Sequence, residues 1–388
     1  MKKLMFFLTF IAAAIAIAIF LTACNNIDDD YLNGSNNNNQ HAPGTIPDKP
    51  IYGTVVEQLA WIQEFGASGG YYIVRAHLPN EIISATQYIR YRNRQNITVR
   101  IVGQGQGRTL SLGGRIGPMF IVEQPESNVT LILENITLVG YINNRNCSLI
   151  YVDVGALEMR TGAVITGNTH FSTNLIGASA GGVTINRGNF IMRGNARIHG
   201  NHGWWAGGVI LGRNSTLTML ENARIDNNHS KSPGGGIAAD SSYIFMYDNA
   251  LIHGNTAVAS GITGGGGVAI SQSTLNMRSD NARISGNRVY FFPDIWGWIA
   301  HGGGVNVANG TLYISGGTIY GSNAPLGLAN EMIGGGIYTA MYRTAFNGTA
   351  RVVSYNGAGS FIPESVNRPA TNNTISVSGN GAVVNWGE

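Results

Sequence analysis

A phrase that recurs with variation from Gly155 almost to the C-terminus leaves this chain few folds to choose from. Gly181-Gly182-Val183, Phe190-Ile191-Met192 and Ala196-Arg197-Ile198-His199-Gly200-Asn201 return as Gly207-Gly208-Val209, Leu217-Thr218-Met219 and Ala223-Arg224-Ile225-Asp226-Asn227-Asn228. Further along, the middle segment becomes Phe245-Met246, Leu275-Asn276-Met277 and Leu312-Tyr313-Ile314, and an earlier copy reads Leu157-Glu158-Met159. The third segment carries Ile165, Ile198, Ile225, Ile252, Ile284 and Ile319, followed by Asn168, Asn201, Asn228, Asn255, Asn287 and, one residue displaced, Asn323. A glycine run closing at Gly182, Gly208, Gly236, Gly267, Gly304 or Gly336 opens each following unit.

Within a unit the apolar residues alternate, so Leu217 and Met219 point one way and Thr218 the other. Each segment is therefore a short strand with one face on a shared core. Three such strands in units of about 27 to 37 residues, joined by tight turns and longer loops, make one coil of a three-sided parallel β-helix. A propeller blade would need four antiparallel strands in about 40 residues, and leucine-rich repeats would set their asparagine in a leucine frame. Neither pattern is present. The Asn residues sit at turns, where they tolerate left-handed backbone and their amides reach the equivalent amide one coil away, and the glycine pairs permit a sharp corner.

Upstream the pattern changes twice. Lys2-Lys3, an apolar run from Leu4 to Leu21 and then Leu21-Thr22-Ala23-Cys24 read as a secretory leader, residues 1–23. The ending resembles the lipobox of bacterial lipoproteins, which implies lipidation of Cys24, cleavage before it and a membrane partner reached through that lipid anchor. A plain leader or an uncleaved anchor is the alternative. Residues 24–50, with Asp28-Asp29-Asp30 and Asn36 to Asn39, form a flexible tether whose aspartates lack an EF-hand spacing. Residues 51–91 form an N-terminal cap in which Val55, Val56, Leu59, Ile62 and Phe65 recur at helical spacing before the strand Tyr71-Tyr72-Ile73-Val74. Residues 92–388 form the β-helix. Removing Lys2 and Lys3 leaves 22 basic against 21 acidic residues, a net charge of +1, which gives no electrostatic case for nucleic acid. Cys147 then stands alone in the mature chain, as a small buried hydrophobe.

Openings such as Gly234-Gly235-Gly236-Ile237 and Gly334-Gly335-Gly336-Ile337, with the Ile-x-Gly-Asn turns, resemble the right-handed parallel β-helix repeats of bacterial surface proteins on a pectin-lyase-like fold. They are also similar to repeats of chlamydial polymorphic outer-membrane proteins, although the Phe-x-x-Asn half of that motif is not kept. The resemblance implies an all-β, right-handed three-sided solenoid with a short capping helix. It further implies a cell-envelope location at the outer membrane or cell surface, and an adhesin-like role.

Chemistry has several places to sit. One outward column holds Thr166, His199, Asp226, His253 and Ser285, residue types suited to a metal or to acid–base work but equally to a solvated sheet face. Another holds Glu221, Asp248 and Asp280, which would suit calcium or pair with Arg224 and Arg283. No compact group of acids beside a basic residue marks a catalytic centre, so a polysaccharide lyase or glycoside hydrolase is the alternative to a binding scaffold, and a structural spacer is the second alternative. No cofactor is implied. The loops between each turn asparagine and the next glycine run vary in length and carry Trp204, Trp205, Tyr290, Phe291, Phe292, Trp296 and Trp298. These aromatic residues either bind a glycan or a host or cell-surface protein, or fold back to shield the coil edge.

Overall fold

The computed structural model describes residues 50, 52–91, 93–123, 128–144, 147–170, 180–259, 265–291, 304–308, 311–314 and 316–320, together with strands Ile337–Thr339, Thr344–Asn347, Arg351–Tyr355, Phe361–Pro363 and Ile375–Ser378. It is an all-β parallel solenoid. Each strand bonds to its equivalent one coil away, giving sheets of 11, 11 and 9 strands that form three faces. Among the described residues the one antiparallel pairing joins Arg351–Tyr355 to Phe361–Pro363.

The inward positions stack in register. On the first face, Leu157, Phe190, Leu217, Ile244, Leu275 and Leu312 lie over one another, two residues before the buried column of Met159, Met192, Met219, Met246 and Met277. Ile244, not Phe245, fills the apolar slot of its coil; the period-2 rule turns Phe245 outward, where it stacks on Tyr247 with the Arg278 guanidinium 5.3 Å from its ring centroid. The second face repeats the rule with Ile165, Ile198, Ile225, Ile252, Ile284 and Ile319, all buried. Identical side chains at one strand spacing thus build a continuous core from a short vocabulary.

The N-terminal helix α1 (Val55–Phe65) starts where the sequence says it should. Thr54 and Glu57 form a capping box, with Glu57 N–H donating to Thr54 Oγ1 at 3.2 Å and Thr54 N–H to Glu57 Oε2 at 2.8 Å. Val55, Leu59 and Ile62 join the core. Gln58, whose polarity suggests an outward position, is instead fully buried: its amide donates to Arg75 O at 2.8 Å and accepts from Arg75 N at 2.9 Å. Those two bonds satisfy backbone groups of Tyr71–Ala76, which among the described residues is the outermost strand of the first face. The segment 51–91 therefore contributes both the helix and the first strand of all three faces, Tyr71–Ala76, Asn80–Ile82 and Gln87–Ile89.

The turn after the second face carries a polar pattern that repeats from coil to coil. Asn201 N donates to Asn228 Oδ1 at 3.1 Å, Asn228 N to Asn255 Oδ1 at 3.0 Å and Asn255 N to Asn287 Oδ1 at 2.9 Å. Each Nδ2 reaches the carbonyl of an isoleucine in the preceding coil, as Asn228 does to Ile198 O at 3.0 Å. All five residues from Asn168 to Asn287 are buried, so the amides form a ladder inside the wall. The left-handed backbone falls on the residue before each of them, Gly167, Gly200, Asn227, Gly254 and Gly286, and the Asn itself is freed for pairing.

The glycine pairs have a different cause from a left-handed corner. A Cβ on Gly236 would lie 2.6 Å from Gly267 O and 3.0 Å from the Asn255 amide, and Gly208 and Gly267 are equally crowded. Glycine is required there by the approach of the next coil and of the ladder.

Candidate functional site at the asparagine corner

The loops leaving the ladder are not free at their start. His202–Gly203, His229–Ser230, Thr256–Ala259 and Arg288–Phe291 pair in parallel as a fourth sheet, an extension of the wall that strand patterning does not reveal because two of its strands are only two residues long. Its outward column runs from buried Thr169 through half-buried His202, His229, Thr256 and Arg288. The inward column, Gly203, Ser230, Ala257 and Val289, is buried and small.

Trp204 and Trp205 follow the first of these strands and part company. Trp205, like Ala238, packs against Ala180, Ala206 and Ile210, on the outer side of the glycine-led face, where strands Val183–Asn186 and Val209–Gly212 are buried on both sides. Trp204, also half-buried, has the exposed Lys231 ammonium 5.9 Å from its ring centroid, a cation over an aromatic face at the edge of the sheet. Gly203 permits the reversal between them and the wall, since a Cβ there would strike the Ala206 carbonyl. Tyr290 and Phe291 lie in the strand that pairs Val258 with Tyr290 and Ala259 with Phe291, at the edge of the same sheet. Phe292, Trp296 and Trp298 lie outside the described residues, as does Cys24.

Burial sets the charge state of this corner. The His202 imidazole is pushed below its ordinary pKa by desolvation, and His229 by desolvation first, then by His202 and Lys231. His170, whose backbone N–H donates to His202 O at 2.8 Å, is nearly inaccessible, and burial takes it down to about 4. All three imidazoles are neutral at pH 7.

The two columns singled out in the sequence do other work. Thr166, His199, Asp226, His253 and Ser285 are in register as expected. Asp226, however, is clamped by Arg197 through bonds of 2.7 and 2.5 Å, which separates the two histidines instead of joining them. Among the described residues no group of three His, Cys, Asp or Glu side chains is placed to share a metal ion. In the second column Glu221 accepts Gly194 N–H at 2.7 Å and Asp248 accepts Glu221 N–H at 2.8 Å; Ser279, not Asp280, continues the series by accepting Asp248 N–H at 2.7 Å. These carboxylates serve backbone donors of the neighbouring coil.

Of the side chains gathered at this corner, His202, His229 and Lys231 escaped the sequence reading. The signal existed: His202 and His229 each follow a ladder asparagine in consecutive repeats, but the residue after that asparagine looks like loop until the fourth sheet is known. Searches of protein-family models, curated proteins and solved structures return no match for this chain.

Proposed function

We propose that this protein is an envelope-anchored binding scaffold, held by lipid on Cys24 through the tether of residues 24–50, whose solenoid presents the asparagine corner to carbohydrate at the cell surface. The observation that carries this reading is Trp204 at the rim of the fourth sheet with Lys231 over its ring, on a wall made rigid by the buried amide ladder. An aromatic face beside a cation suits a sugar ring bearing polar or acidic groups, and a rigid platform keeps the ordering cost of binding low. On their sequence position alone, between Asn287 and the next glycine run, Trp296 and Trp298 are included in this proposal. The right-handed, pectin-lyase-like pedigree and the adhesin-like role belong to this proposal.

Catalysis in a groove along the rod finds less support, because the carboxylates of the described columns are already engaged: Asp153 by Arg187 at 2.9 Å, Asp226 by Arg197, and Glu221 and Asp248 by backbone. The experiment is a glycan array and polysaccharide panel with the full chain, alongside Trp204→Ala and the Trp296→Ala/Trp298→Ala pair. Loss of glycan retention at an unchanged melting temperature supports recognition. A lowered melting temperature with binding intact makes these rings shields, and release of unsaturated sugars would replace the scaffold with a lyase.

A further inference from the structure

The proposal above leaves unexplained why two histidines, and not one, occupy the outward column of the fourth sheet. His202 and His229 are register partners on adjacent parallel strands, with ring centroids 5.5 Å apart and planes inclined by 53°. Two imidazoles that share one tetrahedral ion at about 2.0–2.1 Å per nitrogen hold their centroids roughly 5 Å apart, close to the separation of this pair. His229 Nδ1 already lies 2.7 Å from Thr256 Oγ1, in the next strand of the column. In the tautomer whose Nδ1–H donates to that hydroxyl, Nε2 carries the lone pair a metal needs, the arrangement by which an outer-shell partner orients a ligating histidine.

We propose that His202 and His229 form a two-imidazole site for one divalent transition ion of the zinc, nickel or copper class. Nitrogen ligands of intermediate softness select these ions over magnesium or calcium. Burial keeps both rings in the neutral form that ligates, so no proton has to leave either one near pH 7. Two protein ligands leave the remaining positions to water or to an oxygen of an incoming ligand. The other histidines of the wall do not qualify. His199 and His253 are not register neighbours but are separated by Asp226, which Arg197 holds. Lys231 lies close enough to depress His229, so its charge opposes an incoming cation and sets a ceiling on affinity.

The test uses the full chain and Ni²⁺ alone, followed by calorimetry, with pulsed EPR of the Cu²⁺-loaded protein as a second measurement. One ion per chain is expected, bound at least about tenfold more weakly in His202→Gln and in His229→Gln, and about tenfold more weakly in Thr256→Val, as removal of an outer-shell partner does elsewhere. His199→Gln and His253→Gln should bind as the parent does, and Lys231→Ala more tightly. Should the histidine variants misfold, EPR on the parent protein decides, because two coordinated imidazoles are required. No uptake by the parent chain, uptake indifferent to both His202→Gln and His229→Gln, or fewer than two imidazoles on the copper would overturn the proposal. These outcomes do not depend on glycan retention, which tests the corner's other assignment.

Discussion

At the turn after the second-face strand, backbone N–H groups of successive coils meet buried asparagine amides; at the turn before that strand, they meet the exposed carboxylates of Glu221 and Asp248. The geometric task is the same, one donor per coil to be satisfied by the coil above. What differs is water. An amide both accepts and donates, so at the dry corner each Asn can take an N–H from one neighbour while its own Nδ2 finds a carbonyl. A carboxylate only accepts and carries charge, which is tolerable where solvent reaches its other oxygen. The wall thus uses neutral, two-way groups inside and charged, one-way groups outside.

The comparison breaks most severely if the exposed solution is moved to the buried place. Asn228→Asp removes three donations by Nδ2 and buries a charge, and should cost roughly 3–5 kcal/mol in urea unfolding at pH 7. Because burial raises the pKa of such a carboxyl, part of that loss should return as the pH falls. A next-largest effect comes from acid. His170 has a folded pKa near 4 against an ordinary 6.5, so the stability it confers is complete above pH 6.5 and disappears as pH falls toward 4. The loss amounts to about 3 kcal/mol. His199, His202 and His229 add to it in the same sense, while Glu81 and Asp240, whose pKa values burial raises, oppose it as the pH falls through their raised values to the ordinary carboxylate ones. An unfolding midpoint indifferent to pH between 7 and 4.5 would remove His170 from this role.

Asn228→Ala should then cost about 2–3 kcal/mol, since Asn201 N–H is left buried without its acceptor. At the wet corner, Asp248→Ala should cost about 1 kcal/mol or less, as water replaces the lost oxygen for Glu221 N–H. Glu221→Gln should be nearly silent, within about 0.5 kcal/mol, because the amide oxygen still accepts. Equal losses for Asn228→Ala and Asp248→Ala, measured by the same denaturant series, would show that burial is not what distinguishes the two turns.

Much of this wall was legible from the chain alone. The Ile165-to-Ile319 and Leu157-to-Leu312 columns follow from period-2 alternation plus a repeat, and the amide ladder follows from asparagines that recur at turns. Phe245 misled because two apolar residues, Ile244 and Phe245, stand side by side, and only the register decides which faces in. The fourth sheet was invisible for another reason. His202–Gly203 and His229–Ser230 have no alternation to detect, and they become strands because the coils on either side hold them at bonding distance. Pairing of Asp226 with Arg197 was hidden similarly: the two residues are 29 positions apart and meet only because one repeat overlies the next.

Three successive ladder asparagines, Asn201, Asn228 and Asn255, are each 27 positions apart and make the same bonds in the same direction. One such coil is therefore an exchangeable cassette. Excising residues 202–228 would rejoin Asn201 to His229 and present Asn255 to Asn201 as Asn228 had been presented, with each face losing one strand and none changing register. The length of the solenoid is in that sense quantised, in steps of about 4.8 Å, and gene-level gain or loss of a cassette would lengthen or shorten the wall, and with it the number of corner positions, without redesigning either end.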